Sequence, residues 1–153
     1  MQLPLLPVIV EWELIQSSIT SPGGIESQRH VCRIKLHRCS RLVLIDAGAG
    51  LSGGKLEQLS FERCRKIKGS DVPGQLAPVK TINLQYGPDL HSLELLTGHQ
   101  QLEGFDCFGT KFPAGDVTLL LPLPKLSFVE MSDARHFSHT TEQLTALLAA
   151  NNT

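Results

Sequence analysis

Apolar side chains in this chain recur at every second position, in short bursts separated by glycine and proline. That alternation constrains the fold more than any other feature. Period two marks a half-buried strand, whereas a helix spaces its apolar residues three and four apart. Val8, Val10, Trp12 and Leu14 fall on one side of a candidate strand, with Glu11 and Glu13 on the other. Cys32, Ile34 and Leu36 alternate with Arg33, Lys35 and His37, and Leu42–Ile45 is a continuous apolar run of strand length. Within Lys55–Gly69, Leu59 and Phe61 alternate as in a strand, while Leu56, Leu59, Cys64 and Ile67 would share a helical face. The β-rich surroundings favour the strand.

The same grammar continues through Ile82, Leu84 and Tyr86, then Leu93 and Leu95, Phe105 and Cys107, Val117, Leu119 and Leu121, and finally Leu126–Met131. Short strands divided by turn signals predict a β-sandwich or barrel of about eight or nine strands. Thr140 followed by Gln143 forms a capping box, and Leu144, Leu147 and Leu148 make an apolar stripe that Asn151 ends. One C-terminal helix is therefore expected to close the sheet. No internal repeat and no dividing linker stand out, so 1–153 is read as a single β-rich domain.

Composition sets outer bounds. A chain of 153 residues with 41% hydrophobic and 19% charged residues belongs to the globular class and not to the disordered one. Its net charge of −1 conceals an asymmetry: Arg29–Lys80 balances at +7, residues 1–28 at −3 and residues 81–153 at −5. Such a basic middle either meets an anionic partner or packs beside the acidic end, and in a compact domain self-neutralisation is favoured. The four cysteines form no C-x-x-C pair. The apolar start lacks a basic leader region and is interrupted by Pro4 and Pro7 before Glu11, too early to span a bilayer. Reduced thiols in a cytoplasmic protein that does not enter the membrane are expected.

Three strings carry candidate chemistry. Gly48-Ala-Gly50-Leu-Ser-Gly53 follows an apolar run and resembles the dinucleotide-binding fingerprint of Rossmann proteins. There, glycines let the backbone approach a pyrophosphate. The likeness covers about a dozen residues and departs where Gly54-Lys55-Leu56-Glu57 follows. Arg29-His-Val-Cys-Arg33, with Leu51-Ser52-Gly53-Gly54 beyond it, faintly resembles PilZ domains. That likeness implies a cyclic dinucleotide held by the two arginines, although Gly50 and Lys55 replace the Asp or Asn and the Gly of the second element. Arg63, Arg65, Lys66 and Lys68 add a basic run suited to phosphate contacts, with a solvated face as the alternative.

Asp133, His136 and His139 could offer a partial metal face, or form a polar connection before the helix. No Ser/His/Asp or Cys/His set can be assembled, and no cofactor is implied. The leading reading is a non-enzymatic protein-binding or assembly module that engages another protein, or itself as an oligomer. It would use a sheet edge at Leu3–Val10 or the apolar Leu119–Leu123. An anion or nucleotide binder comes second, using Gly48, Gly50 and Gly53 with Arg29 and Arg33 or the 63–68 cluster. A metal-dependent enzyme comes third.

Overall fold

The computed structural model describes residues 10–20, 30–42, 55–68 and 79–151. Six strands form one sheet in chain order: β1 (Glu11–Ile15), β2 (Arg33–His37), β3 (Gln58–Glu62), β4 (Thr81–Asn83), β5 (Gly104–Asp106) and β6 (Phe128–Glu130). Every neighbouring pair is parallel. The expected sandwich or barrel of eight or nine strands is therefore corrected to a right-through stack of coils, a parallel β-solenoid. Parallel neighbours need a crossover between strands, and the two crossovers that lie wholly within the described residues, β4–β5 and β5–β6, are coils of turns and a short 3₁₀ helix rather than a long α-helix.

The expectation of no internal repeat is corrected with it. Trp12, Ile34, Leu59, Ile82, Phe105 and Val129 stand in register across the sheet, 22 to 25 residues apart. Leu14, Leu36 and Phe61 make a second row of the same kind. Val31, Leu56, Val79, Leu102 and Leu126, each three residues before a strand's first inward side chain, form a third row and are all buried. Each coil thus delivers the same side chains to the same levels of one continuous core, and packs mainly on its neighbours.

Away from the strands the buried period changes from two to three. Leu90, Leu93, Leu96, His99, Leu102 and Phe105 are buried at every third position, as are Val117, Leu120, Leu123, Leu126 and Val129. Three residues per turn is the 3₁₀ repeat, and 3₁₀ helices form at Leu93–Leu96 and Val117–Leu120. Ser92 and Asp116, 24 positions apart, cap them by accepting from the Glu94 and Thr118 amides at 3.1 and 3.0 Å. Leu93–Leu95 and Val117–Leu121, read as strands from alternation, are therefore corrected to 3₁₀ turns on the far side of the coil. Leu119–Leu123 packs on the core, with Leu120 and Leu123 buried, and offers no free apolar patch.

Beyond each of the first five strands the backbone turns out of the sheet through a left-handed residue: Gln16, Arg38, Arg63 and Tyr86 at φ 52, 55, 56 and 49°, then Gly109 at 71°. A non-glycine residue there carries strain. Each of the first four is offset by an amide hydrogen bond to the next strand's exit, from Gln16 to His37, Arg38 to Glu62, Arg63 to Gln85 and Tyr86 to Phe108, at 2.8–2.9 Å. Residue 109 must be glycine, because a Cβ there would collide with the Tyr86 ring.

The C-terminal helix α1 (Thr141–Asn151) forms as the capping box predicts. Thr140 accepts from the Gln143 amide at 3.2 Å, while the Gln143 side chain accepts from the Thr140 amide at 3.0 Å. Leu144 and Leu148 enter the core beside β6, and Leu147 remains partly exposed. No helix among the described residues is long and apolar enough to cross a membrane.

Candidate interaction face and basic cleft

The outward side chains of six parallel strands make one ladder. Position by position, Glu11, Arg33, Gln58, Thr81, Gly104 and Phe128 line the first row, and Glu13, Lys35, Ser60, Asn83, Asp106 and Glu130 the second. Opposite charges meet across the first two strands: Arg33 Nε lies 3.1 Å and Lys35 Nζ 2.7 Å from the Glu11 carboxylate. The hydrogen bond from Lys35 holds the Glu11 carboxyl below its ordinary value, and Arg33 adds to that effect. His37 Nδ1 stands 2.9 Å from Glu62. From β3 onward the outward charges of the strands are acidic, at Glu62, Asp106 and Glu130. Two aromatic rings are exposed at this end: Phe128, 54% exposed on the strand face, and Phe108, 39% exposed in the turn just past β5. Gly104 leaves the ground beside Phe128 bare.

Behind the strands a second ladder stitches the coils together. Cys39, Cys64, Gly87 and Thr110 occupy one repeat position, three residues beyond the second inward side chain. The Cys64 thiol donates to the Leu36 carbonyl at 3.4 Å, Cys39 reaches Leu14 at 3.7 Å, and the Thr110 hydroxyl donates to Leu84 at 2.6 Å. All four cysteines are free. Burial pushes the Cys64 thiol up to about 11 and the Cys107 thiol up to about 12. A raised thiol pKa favours folding fully below the unfolded value near 9, and that contribution is lost as pH rises through about 11 to 12. Thermal melts should therefore fall steeply across this alkaline window, and less steeply for Cys64→Ala/Cys107→Ala. At pH 8 a thiol reagent should leave Cys64 and Cys107 unmodified until denaturant is added; fast native labelling of either would contradict this burial.

On the flank where chain leaves the strands, a cleft of about 720 Å³ opens among Arg65, Lys66, Lys68, Asp89, His91 and Lys111. The 23-residue step between coils brings them together: Arg65 and Lys111 stand two coils apart, Lys68 and His91 one coil apart, as do Lys66 and Asp89. Its inner wall is Tyr86 over Gly109, with the Arg63 guanidinium 4.9 Å above the Tyr86 ring and Phe108 edge-on at 5.8 Å.

Of the residues singled out in the sequence, Arg65, Lys66 and Lys68 share this cleft, and Arg63 adjoins it through Tyr86. Arg33 lies apart, on the strand face with Glu11. Arg29, Gly48, Gly50 and Gly53 lie outside the described residues, as does Leu3–Val10 except Val10. Asp133 caps α1 by accepting from the Thr141 amide at 2.7 Å, and His136 Nε2 lies 3.0 Å from the Phe112 carbonyl. Among the described residues no three His, Cys, Asp or Glu side chains are placed to hold a metal ion. Lys111, His91, Phe108 and Phe128 were not legible as site residues without the repeat register.

Parallel strands at a 22–25-residue step, a hydrogen-bonding ladder through Cys39, Cys64 and Thr110, and 3₁₀ segments on the far side of the later coils define a leucine-rich-repeat-like solenoid. An internalin from Listeria monocytogenes shares this fold, with a TM-score of 0.53 and 18% identity over 84% of this chain. The match covers 44% of the internalin chain. No protein-family model matches the sequence, and no curated protein matches it.

Proposed function

We propose that the domain is a protein-binding module whose outward strand face receives a partner segment. The observation that carries this reading is Phe128, 54% exposed in β6 beside Glu130 and the neighbouring strand's Asp106, with Phe108 exposed just past the end of β5. Exposed aromatic side chains anchor interfaces because they bury large area at little entropic cost, and solenoids present such faces across many coils. The acidic strands β5 and β6 favour a partner that is basic around an apolar centre.

The test is affinity capture with the folded domain, compared with Phe128→Asp and Glu130→Lys. Both positions are outward, so circular dichroism should be unchanged. A partner that binds the native domain should lose at least tenfold in affinity for either variant. A partner retained equally by both variants would place binding elsewhere and overturn the reading.

A further inference from the structure

The flank cleft is separate from the strand face and has its own chemistry. Arg65, Lys66, Lys68 and Lys111 supply four formal positive charges and Asp89 one negative, with His91 at the margin. Arg65, Lys66 and Lys111 have no carboxylate partner among the described residues, whereas Arg33, Lys35 and Lys80 are each paired with a glutamate. Like charges gathered from two coils, the one after β3 and the one after β5, repel one another, so their convergence is unfavourable until an anion neutralises it. The wall is fixed: Tyr86 is held by Arg63, Phe108 and the bare backbone of Gly109. A single phosphate would leave most of about 720 Å³ empty. The volume lies within the roughly 300–1,000 Å³ range of small-molecule sites.

We propose that this cleft binds a multiply charged phosphate ligand of triphosphate size, with Arg65, Lys66 and Lys111 as its principal contacts. A guanidinium forks to two phosphate oxygens, and the ammonium groups of Lys66, beside Arg65 in the chain, and of Lys111, two coils away, act as point charges. The bearer of the phosphates, a nucleotide or an inorganic chain, is distinguished by the probes below. Among the described residues Asp89 is the one carboxylate lining the cleft, so it opposes the ligand and its neutralisation strengthens binding.

Isothermal titration with tripolyphosphate, ATP and adenosine tests the assignment on the full chain. Saturable one-to-one binding of tripolyphosphate is expected, weakening as salt rises. Lys66→Ala/Lys111→Ala should weaken it at least tenfold, and Asp89→Asn should tighten it several-fold. Arg33→Ala/Lys35→Ala, whose charges lie on the strand face, should leave it unchanged. ATP tighter than tripolyphosphate assigns a nucleotide; equal affinity assigns the phosphate chain alone. No saturation at millimolar tripolyphosphate, or equal loss in the strand-face variant, overturns the proposal. Because the strand-face variants are read separately, failure here leaves the protein-binding reading standing.

Discussion

Phe61→Ala is expected to cost about 3–5 kcal/mol of folding free energy, the usual range for emptying a fully buried phenylalanine site. Phe61 is 0% exposed and stands in β3, with Leu36 opposite it on β2. Leu84 follows it at the same level one coil on. The void cannot collapse readily, because both neighbouring coils are fixed by strand pairing and by the exit bonds from Arg38 to Glu62 and Arg63 to Gln85. Domains of this size are stable by only about 5–15 kcal/mol, so one truncation removes a large share. In a stack where each coil touches only its neighbours, the loss also uncouples the coils before β3 from those after it. Urea unfolding should show a lower midpoint and a shallower, less cooperative transition. Phe128→Ala, the same chemical change on the outward face, should cost far less. If the two substitutions cost the same, the assignment of inward and outward rows is wrong.

That assignment was legible from the sequence; the layering was not. Alternation correctly separates Ile34 and Leu36 from Arg33 and Lys35, and Leu59 and Phe61 from Gln58 and Ser60, because side chains of a strand must point to opposite faces. It is silent on which strand pairs with which, and in which direction. The decisive signal was spacing at longer range. Val31-x-x-Ile34-x-Leu36-x-x-Cys39-x-x-Leu42 and Leu56-x-x-Leu59-x-Phe61-x-x-Cys64-x-x-Ile67 are the same string, and Val79 to Leu90 repeats it with Gly87 in place of cysteine. Chemically dissimilar occupants of one position (Cys39, Cys64, Gly87 and Thr110) hide the repeat from identity, while their common geometry reveals it. Val117–Leu121 misled for a related reason: Val117 with the consecutive Leu119, Leu120 and Leu121 satisfies period two and period three alike, and Asp116 is the residue that decides for a capped 3₁₀ turn. The basic run was visible as Arg65, Lys66 and Lys68, but its partner Lys111 lies two coils downstream, beyond the reach of any local pattern.

Thr110→Val should destabilise the protein by about 1–3 kcal/mol, although the two side chains have nearly the same shape and volume, because two hydrogen bonds worth roughly 0.5–1.5 kcal/mol each are lost and the Gly87 amide and Leu84 carbonyl keep only their bond to each other at 3.0 Å. Thr110 is 8% exposed. Its hydroxyl donates to the Leu84 carbonyl at 2.6 Å and accepts from the Gly87 amide at 3.0 Å, so it closes a bridge between consecutive coils. Residue 87 cannot take over that task. A Cβ there would lie 2.6 Å from the Leu84 carbonyl oxygen, which is why glycine interrupts the ladder and the next coil reaches back to complete it. Thr110→Ser keeps the hydroxyl and loses only a methyl group, so it should retain most of the stability that valine loses. Denaturant midpoints for the wild type, the serine variant and the valine variant then order themselves by hydrogen bonding and not by volume. Equal midpoints for serine and valine would mean that the Leu84–Thr110–Gly87 bridge holds nothing together, and the coils would have to owe their alignment to core packing alone.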